Sequence, residues 1–184
     1  MSVQLRPLTY DDLVTMPDDG VRREVIGGEL VVNPATTAGH QDVVGNLHIL
    51  LRTFSLESGG HVYLAPFDVL LGRFNVVQPD LLYLSPARPR VPQDKHALEG
   101  PPDLVVEVVS PGTGWIDRTR KMALYASSMV PEYWIVDPVH RSLSVHSLKG
   151  DDYGMIEPDA DGLIASCELP GLLVDPAVVF AGLD

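Results

Sequence analysis

The chain has 184 residues, of which 45% are hydrophobic and 21% are charged, a composition typical of one globular domain with its own core. Its only cysteine, Cys167, excludes an internal disulfide and the zinc sites that need paired thiolates. No apolar run approaches the roughly 20 residues of a bilayer span, and no basic and apolar leader opens the chain. We therefore expect a single cytoplasmic domain over residues 1–184, without a membrane segment.

The first predicted elements are a short helix and a hairpin. In LTYDDLVTM, Thr9 suits the N-cap position and Asp12 follows three residues later, which predicts a helix around residues 9–16. VRREVI and ELVVN flank Gly27-Gly28. Two glycines supply the positive φ angles of a tight turn, so these segments predict two antiparallel strands.

A long helix and three strands follow. From Thr37 to Ser58, apolar residues recur at three- and four-residue steps, the spacing of a helix with one buried face. HVYLAPFDVLL and VVQPDLLYLS predict one strand each, and GPPDLVVEVVS predicts a third, buried on both faces of a central sheet. The proline-rich stretch from Ser85 to Pro102 is expected to be a long exposed connection that could contact substrate.

The remaining chain predicts a second helix from about Asp117 to Ser128, the strand EYWIVD and a hairpin through RSLSVHSL. From Gly150 onward an irregular acidic segment is expected, with a short final helix near residues 176–180. The order helix, three strands, helix, strand predicts an α/β fold.

Two carboxylates stand out within apolar strand segments. Glu107 lies between two valine pairs, where a lone carboxylate is costly and must be neutralised, paired with a cation or used as a metal ligand. Asp80 follows Pro79, which indicates a bulge or strand edge, or simply a strand that starts after a turn. If the two strands are neighbours, both carboxylates can share one hard cation such as magnesium or manganese.

The second predicted helix carries Asp117 and Lys121, which are four residues apart and share one face. A surface ion pair explains this spacing, and Asp117 also suits the positive end of a helix. The apolar residues that follow Lys121 indicate a helix packed on the sheet directly after the Glu107 strand. That packing can bring the Lys121 ammonium back to the carboxylates.

The segments QPDLLYLS, PPDLVVEVVSPGT and DRTRKMALYASSMVPEYWIVDP resemble the putative restriction endonuclease family of PD-(D/E)XK nucleases, formerly a domain of unknown function. REVIGGELVVNP, the histidine that opens the long helix and CELPGLLVD extend the resemblance over almost the whole chain. The resemblance implies a restriction-endonuclease-like core, in which helices flank a mixed central sheet and a hairpin lies at the N-terminus.

The resemblance also implies a site and an activity. Asp80 and Glu107 correspond to the acidic residues of the motif and would bind Mg²⁺, for which Mn²⁺ can substitute, together with the backbone carbonyl of Val108. The usual strand lysine is replaced by Val109, so its role passes to Lys121 on the next helix. The implied function is an endonuclease that hydrolyses DNA phosphodiester bonds, with Lys121 assisting the attacking water as a base or by stabilising charge.

Three accessory residues and a partner are also implied. His40 can line the pocket or contact a phosphate, or can be a helix-start histidine bonded to backbone. Glu24 stands next to two arginines, where a surface or packing salt bridge is the simpler explanation, and Asp117 is the third candidate. A homodimer is expected, through YWIVDP or the terminal segments, because two sites address two DNA strands.

The formal net charge of −12 is the main argument against a nucleic-acid substrate. Seven of the thirteen basic residues fall within positions 73–121, however, so a DNA-facing surface is expected in this central part. Two other functions stay open: a non-catalytic nucleic-acid- or protein-binding module on the same fold, and a metal-dependent hydrolase of another phosphoester.

Overall fold

The computed structural model describes residues 6–110 and 116–183. Its first elements are helix α1 (Tyr10–Val14) and strands β1 (Arg23–Ile26) and β2 (Glu29–Val32). The carboxylate of Asp12 accepts a hydrogen bond from the backbone N–H of Thr9 at 2.9 Å, which caps α1 as predicted. The turn between β1 and β2 has two glycines with positive φ, as the hairpin prediction requires.

The remaining elements follow in chain order: α2 (Ala38–Ser58), β3 (His61–Leu64), β4 (Asp68–Gly72), β5 (Asn75–Val77), β6 (Leu81–Leu84), β7 (Ala97–Glu99), β8 (Leu104–Val108), a π-helical turn (Asp117–Lys121), α3 (Met122–Ser127), β9 (Glu132–Asp137), β10 (Ser142–Lys149), β11 (Asp152–Met155), β12 (Ile164–Ala165), β13 (Leu173–Val174) and α4 (Pro176–Val179). Among the described residues, no helix is long and apolar enough to cross a membrane.

A mixed six-stranded sheet, ordered β11-β10-β9-β8-β6-β3, lies at the centre of the fold. Strands β8 and β9 are parallel, and the other pairs are antiparallel. Side chains alternate across β8, so Val106 packs with α2 whereas Val105 packs with α3 and with the second sheet. The succession of α2, β3, β6, β8, α3 and β9 confirms the predicted α/β order.

A second sheet of five strands, ordered β2-β1-β5-β4-β7, differs from the prediction. The segments HVYLAPFDVLL and VVQPDLLYLS are not single strands, because each divides between the two sheets, into β3 and β4 and into β5 and β6. The divisions fall at Pro66 and at Pro79, residues without an N–H group for a continuous ladder. The predicted N-terminal hairpin thereby becomes one edge of a larger sheet.

Three further expectations need correction. The stretch 85–102 is only partly exposed, because it contains β7, which pairs with β4, and the buried residue Val91. The segment after Gly150 contains β11 and the β12–β13 hairpin, although its final helix, α4, is confirmed. The YWIVDP segment cannot form a dimer surface, because it lies largely in β9, which is buried and hydrogen-bonded to a strand on either side.

Candidate active site

Asp80 and Glu107 belong to the two neighbouring strand segments that the sequence suggested. Leu81, the first residue of β6, pairs with Val106 of β8, so Asp80, directly before β6, lies beside the C-terminal end of β8. Its Oδ2 accepts a hydrogen bond from the backbone N–H of Val108 at 2.7 Å. The Pro-Asp pair therefore does start a strand after a turn, and this position still directs the carboxylate toward β8.

Glu107 is buried on the face of β8 that packs against α3. Its Oε1 accepts hydrogen bonds from the hydroxyl of Tyr125 at 2.7 Å and from Nζ of Lys121 at 2.9 Å. Lys121 therefore reaches the carboxylate from the helix, as expected because Val109 occupies the position of the usual strand lysine. Tyr125 was missed by sequence reasoning, since an apolar helix face gives no sign of a buried hydroxyl donor.

Lys121 is buried and surrounded by three carboxylates. Its Nζ lies 2.9 Å from Glu107 Oε1, 3.0 Å from Glu24 Oε2 and 3.6 Å from Asp117 Oδ1. The π-helical turn places both Asp117 and Lys121 in this cluster. The surface ion pair considered for these two residues is therefore wrong, because both side chains are buried.

Of the two alternatives for Glu24, the structure shows the packing salt bridge, with Lys121 as the partner rather than an adjacent arginine. Its side chain is fully buried, and its carboxylate accepts hydrogen bonds from Asn33 Nδ2 at 2.9 Å and from the backbone N–H of Gln78 at 2.6 Å. The adjacent Arg23 pairs with Asp19 instead. These bonds fix the Glu24 carboxylate against the Lys121 ammonium.

His40 lines the site, and its ring lies next to Asp80 rather than bonded to backbone. Its backbone N–H donates to Oγ1 of Thr37, the N-cap of α2, at 3.2 Å. Its Nε2 lies 3.4 Å from Asp80 Oδ2. The histidine therefore opens the helix and also lines the site.

Arg22 completes the cluster, and sequence reasoning noticed it only as a neighbour of Glu24. Its Nη1 donates to Asp80 Oδ1 at 2.7 Å, and its Nη2 lies 3.9 Å from Glu107 Oε2 and donates to the carbonyl of Gln78. Residues two apart in an extended chain share a face. That spacing was the available signal, because Arg22 lies two residues before Glu24.

The cluster contains more negative than positive charge. Its four carboxylates belong to Glu24, Asp80, Glu107 and Asp117, whereas its cations are Arg22 and Lys121. The formal difference is −2 if every carboxyl group is ionised and His40 is neutral. A net negative charge in a buried site favours protonation of a carboxyl group or binding of a cation.

The pKa values follow from this imbalance. Burial, together with the negative charges of Asp117, Glu24 and Asp80, outweighs the nearby Lys121 ammonium and raises the pKa of Glu107 to about 8. For Asp80, burial is outweighed by the hydrogen bond from His40 and the charge of Arg22, which lower the pKa to about 2.

Lys121 remains a cation in this environment. Burial opposes its charge, but Glu107, Glu24 and Asp117 outweigh that effect and raise the pKa of Lys121 above its ordinary value. A general base needs the opposite shift. The surroundings of Lys121 therefore suit stabilisation of negative charge.

The raised pKa of Glu107 predicts a pH-dependent stability. The folded protein keeps this proton up to about pH 8, whereas an ordinary glutamate releases it near pH 4.5. The free energy of unfolding should therefore fall by a few kcal/mol between these values as pH rises. Urea unfolding at a series of pH values should show this slope in the wild type and a flatter one in Glu107→Gln, and equal slopes would contradict it.

Two cavities meet at the cluster. A cavity of about 20 Å³, large enough for one water molecule or one ion, is lined by residues that include Asp80, Glu107, Val108 and Lys121. A groove of about 450 Å³ adjoins it, and Arg22 and Asp80 are among the residues that line both. Neither lining includes a residue of the stretch 85–102, so the cavities give no support for substrate contact there.

The donor set suits a hard divalent cation. Carboxylate oxygens beside a cavity that is large enough for one ion are appropriate ligands. The charge of +2 on such an ion would cancel the formal charge of −2 on the cluster. Within residues 6–110 and 116–183, no group of three or more His, Cys, Asp or Glu side chains forms a metal site. Such an ion would therefore complete its coordination with backbone, water or substrate oxygens, as Mg²⁺ usually does.

Comparison with known proteins agrees with this fold. A crystal structure described as "a putative nuclease belonging to DUF820" from Anabaena variabilis ATCC 29413 is similar, with a TM-score of 0.78 and 17% sequence identity. The alignment covers 95% of this chain and 98% of that chain. No curated protein matches the sequence. The model of the family Uma2, described as "Putative restriction endonuclease", matches residues 10–177, and the chain therefore belongs to this family.

Proposed function

We propose that the protein is a metal-dependent endonuclease that hydrolyses phosphodiester bonds of DNA. The observation that supports this function best is the convergence of Asp80, Glu107 and Lys121 in one buried cluster beside a groove. Membership of a family described as restriction endonucleases supports the same reaction class. The expectation of a homodimer, with one site for each DNA strand, stays part of the proposal.

In this function Asp80 and Glu107 would hold Mg²⁺ or Mn²⁺ with the carbonyl oxygen of Val108. A bound ion supplies polarisation of the phosphate and a lowered pKa for the attacking water. His40 beside Asp80 supports the ionised form of that ligand through its hydrogen bond. Glu107 must lose its proton to act as a ligand, so metal binding should strengthen as pH rises toward 8.

Lys121 would stabilise the negative charge that develops on the phosphoryl oxygens. Its pKa is raised, so it carries a positive charge before the reaction begins. Glu24 and Asp117 hold the ammonium from two sides at 3.0 and 3.6 Å. Because the ammonium is already fixed, little reorganisation is needed when charge develops at the phosphate.

A metal-dependent hydrolase of another phosphoester is the second candidate, and the net charge of −12 favours it. A long polyanion is repelled by an acidic protein, whereas a small phosphoester experiences less repulsion. The cluster chemistry is the same for both substrates. The choice between them therefore depends on the size of the substrate that is cleaved.

The test is manganese-dependent nicking of supercoiled plasmid DNA, with bis(p-nitrophenyl) phosphate as the small substrate. The wild type should nick the plasmid, and Glu107→Gln should be inactive, whereas Glu57→Gln, at an exposed position of α2, should behave as wild type. Hydrolysis of the small ester alone would favour the second candidate. Absence of both activities would contradict the enzymatic function and favour the non-catalytic binding module.

A further inference from the structure

Arg22 lies where a cation shared by the two acidic residues would lie. Its guanidinium is 2.7 Å from Asp80 Oδ1 and 3.9 Å from Glu107 Oε2, so the same group interacts with both carboxylates. The side chain is mostly buried, with 20% of its surface exposed. This arginine therefore supplies positive charge between the two acids.

The position leaves part of the guanidinium without hydrogen bonds. Among the residues that the structure describes, Arg22 Nε is one of three buried side-chain polar atoms without a partner, together with His40 Nδ1 and Gln78 Oε1. All three residues line the groove of about 450 Å³ beside the cluster. Buried polar atoms are normally satisfied, so this convergence indicates a polar ligand in the groove.

Electrostatic attraction allows two positions for the Arg22 guanidinium, one beside Asp80 and one beside an anion in the groove. A divalent cation between Asp80 and Glu107 would compete with the guanidinium for Asp80 Oδ1. The guanidinium would then lose its carboxylate partner while it still faces the groove. A phosphate group is the ligand whose charge and paired oxygen atoms fit an arginine best.

We propose that Arg22 takes the place of the divalent cation in the free protein and moves to a substrate phosphate in the groove when that cation binds. This inference rests on the proposed metal-dependent function and adds a substrate-binding residue to it. Metal binding would thereby release the group that binds the substrate. Arg22 is then the link between the two binding events.

Calorimetric titration with Mn²⁺ at one fixed alkaline pH tests the competition. Removal of the competing charge in Arg22→Gln should tighten Mn²⁺ binding by about tenfold or more. Arg22→Lys, which keeps the charge, should bind Mn²⁺ with an affinity close to that of the wild type. The matched control is Arg23→Gln, since Arg23 pairs with Asp19 and should leave Mn²⁺ affinity unchanged.

Fluorescence anisotropy with a short DNA duplex tests the second position. In a Lys121→Met background, chosen to prevent cleavage, Arg22→Gln should weaken DNA binding about tenfold with Mn²⁺ present. With a chelator present instead, the same substitution should change DNA affinity little, because Arg22 is then held by the carboxylates. Equal losses under both conditions would overturn the proposed movement.

The two proposals fail in different ways. Equal and measurable Mn²⁺ affinity in the wild type and Arg22→Gln would overturn the inference and leave the nuclease function intact. Absence of Mn²⁺ binding in both proteins would overturn the inference together with the metal-dependent function. If Arg22→Gln does not fold, a wild-type crystal soaked with Mn²⁺ provides the test. A bound ion together with an Arg22 guanidinium still 2.7 Å from Asp80 would contradict the proposed displacement.

Discussion

Replacement of Lys121 by methionine is expected to reduce DNA cleavage by about a thousandfold or more while Mn²⁺ binding persists. The ammonium is the group available to stabilise charge on the phosphate, but it is not one of the proposed metal ligands. Methionine keeps most of the length of the side chain and removes its charge. Cleavage rates and calorimetric titration with Mn²⁺ on the same samples measure the two effects separately.

Two companion variants make this result specific. Lys149→Met, at an exposed position of β10, is the matched control and should keep wild-type cleavage. Lys121→Arg keeps the positive charge but cannot act as a base, because arginine is not deprotonated in proteins. Activity well above that of Lys121→Met would support charge stabilisation, whereas equal inactivity would favour a lysine base despite the raised pKa of Lys121.

Replacement of Asp80 by asparagine should reduce both the cleavage rate and the affinity for Mn²⁺, each by at least about a hundredfold. The asparagine side chain is nearly isosteric, but it has no negative charge and only one acceptor oxygen. One of the two proposed carboxylate ligands is thereby lost. Titration with Mn²⁺ and plasmid nicking measure these losses.

The matched control for Asp80→Asn is Asp94→Asn, at an exposed position of the stretch between β6 and β7. It should leave both Mn²⁺ binding and cleavage unchanged. Thermal melting without metal shows whether Asp80→Asn is folded, which matters because Arg22 would lose its carboxylate partner. A folded Asp80→Asn protein with wild-type Mn²⁺ affinity would exclude Asp80 as a ligand.

The comparison of Glu107 and Lys121 shows how far the sequence alone could lead. Glu107 was identifiable because a carboxylate inside a valine-rich strand needs a partner, and that argument requires no tertiary information. Lys121 was identifiable because the helix that follows a buried strand packs back on the sheet. Their 2.9 Å contact joins residues only 14 positions apart in the chain, so local order was sufficient.

Arg22 and Glu24 show where such reasoning fails. The neighbours of Glu24 in the sequence suggested a surface or packing salt bridge with an adjacent arginine. Its partners are instead Lys121 in the π-helical turn, the backbone N–H of Gln78 and the side chain of Asn33. These contacts depend on the pairing of β1 with β5 in the second sheet. That sheet was not foreseen, because each divided segment resembles a single strand unless Pro66 and Pro79 are treated as breaks.

The π-helical turn at Asp117–Lys121 determines where the cluster can tolerate a change of chain length. A π turn closes its hydrogen-bonded ring over one residue more than an α turn. Deletion of one residue between Asp117 and Lys121 would let the turn become α-helical, and the two residues, then three apart, would still share one helix face. The same deletion within α3 would rotate Lys121 by about 100° relative to the residues that follow it. The cluster should therefore tolerate a deletion in the π turn but not one in α3.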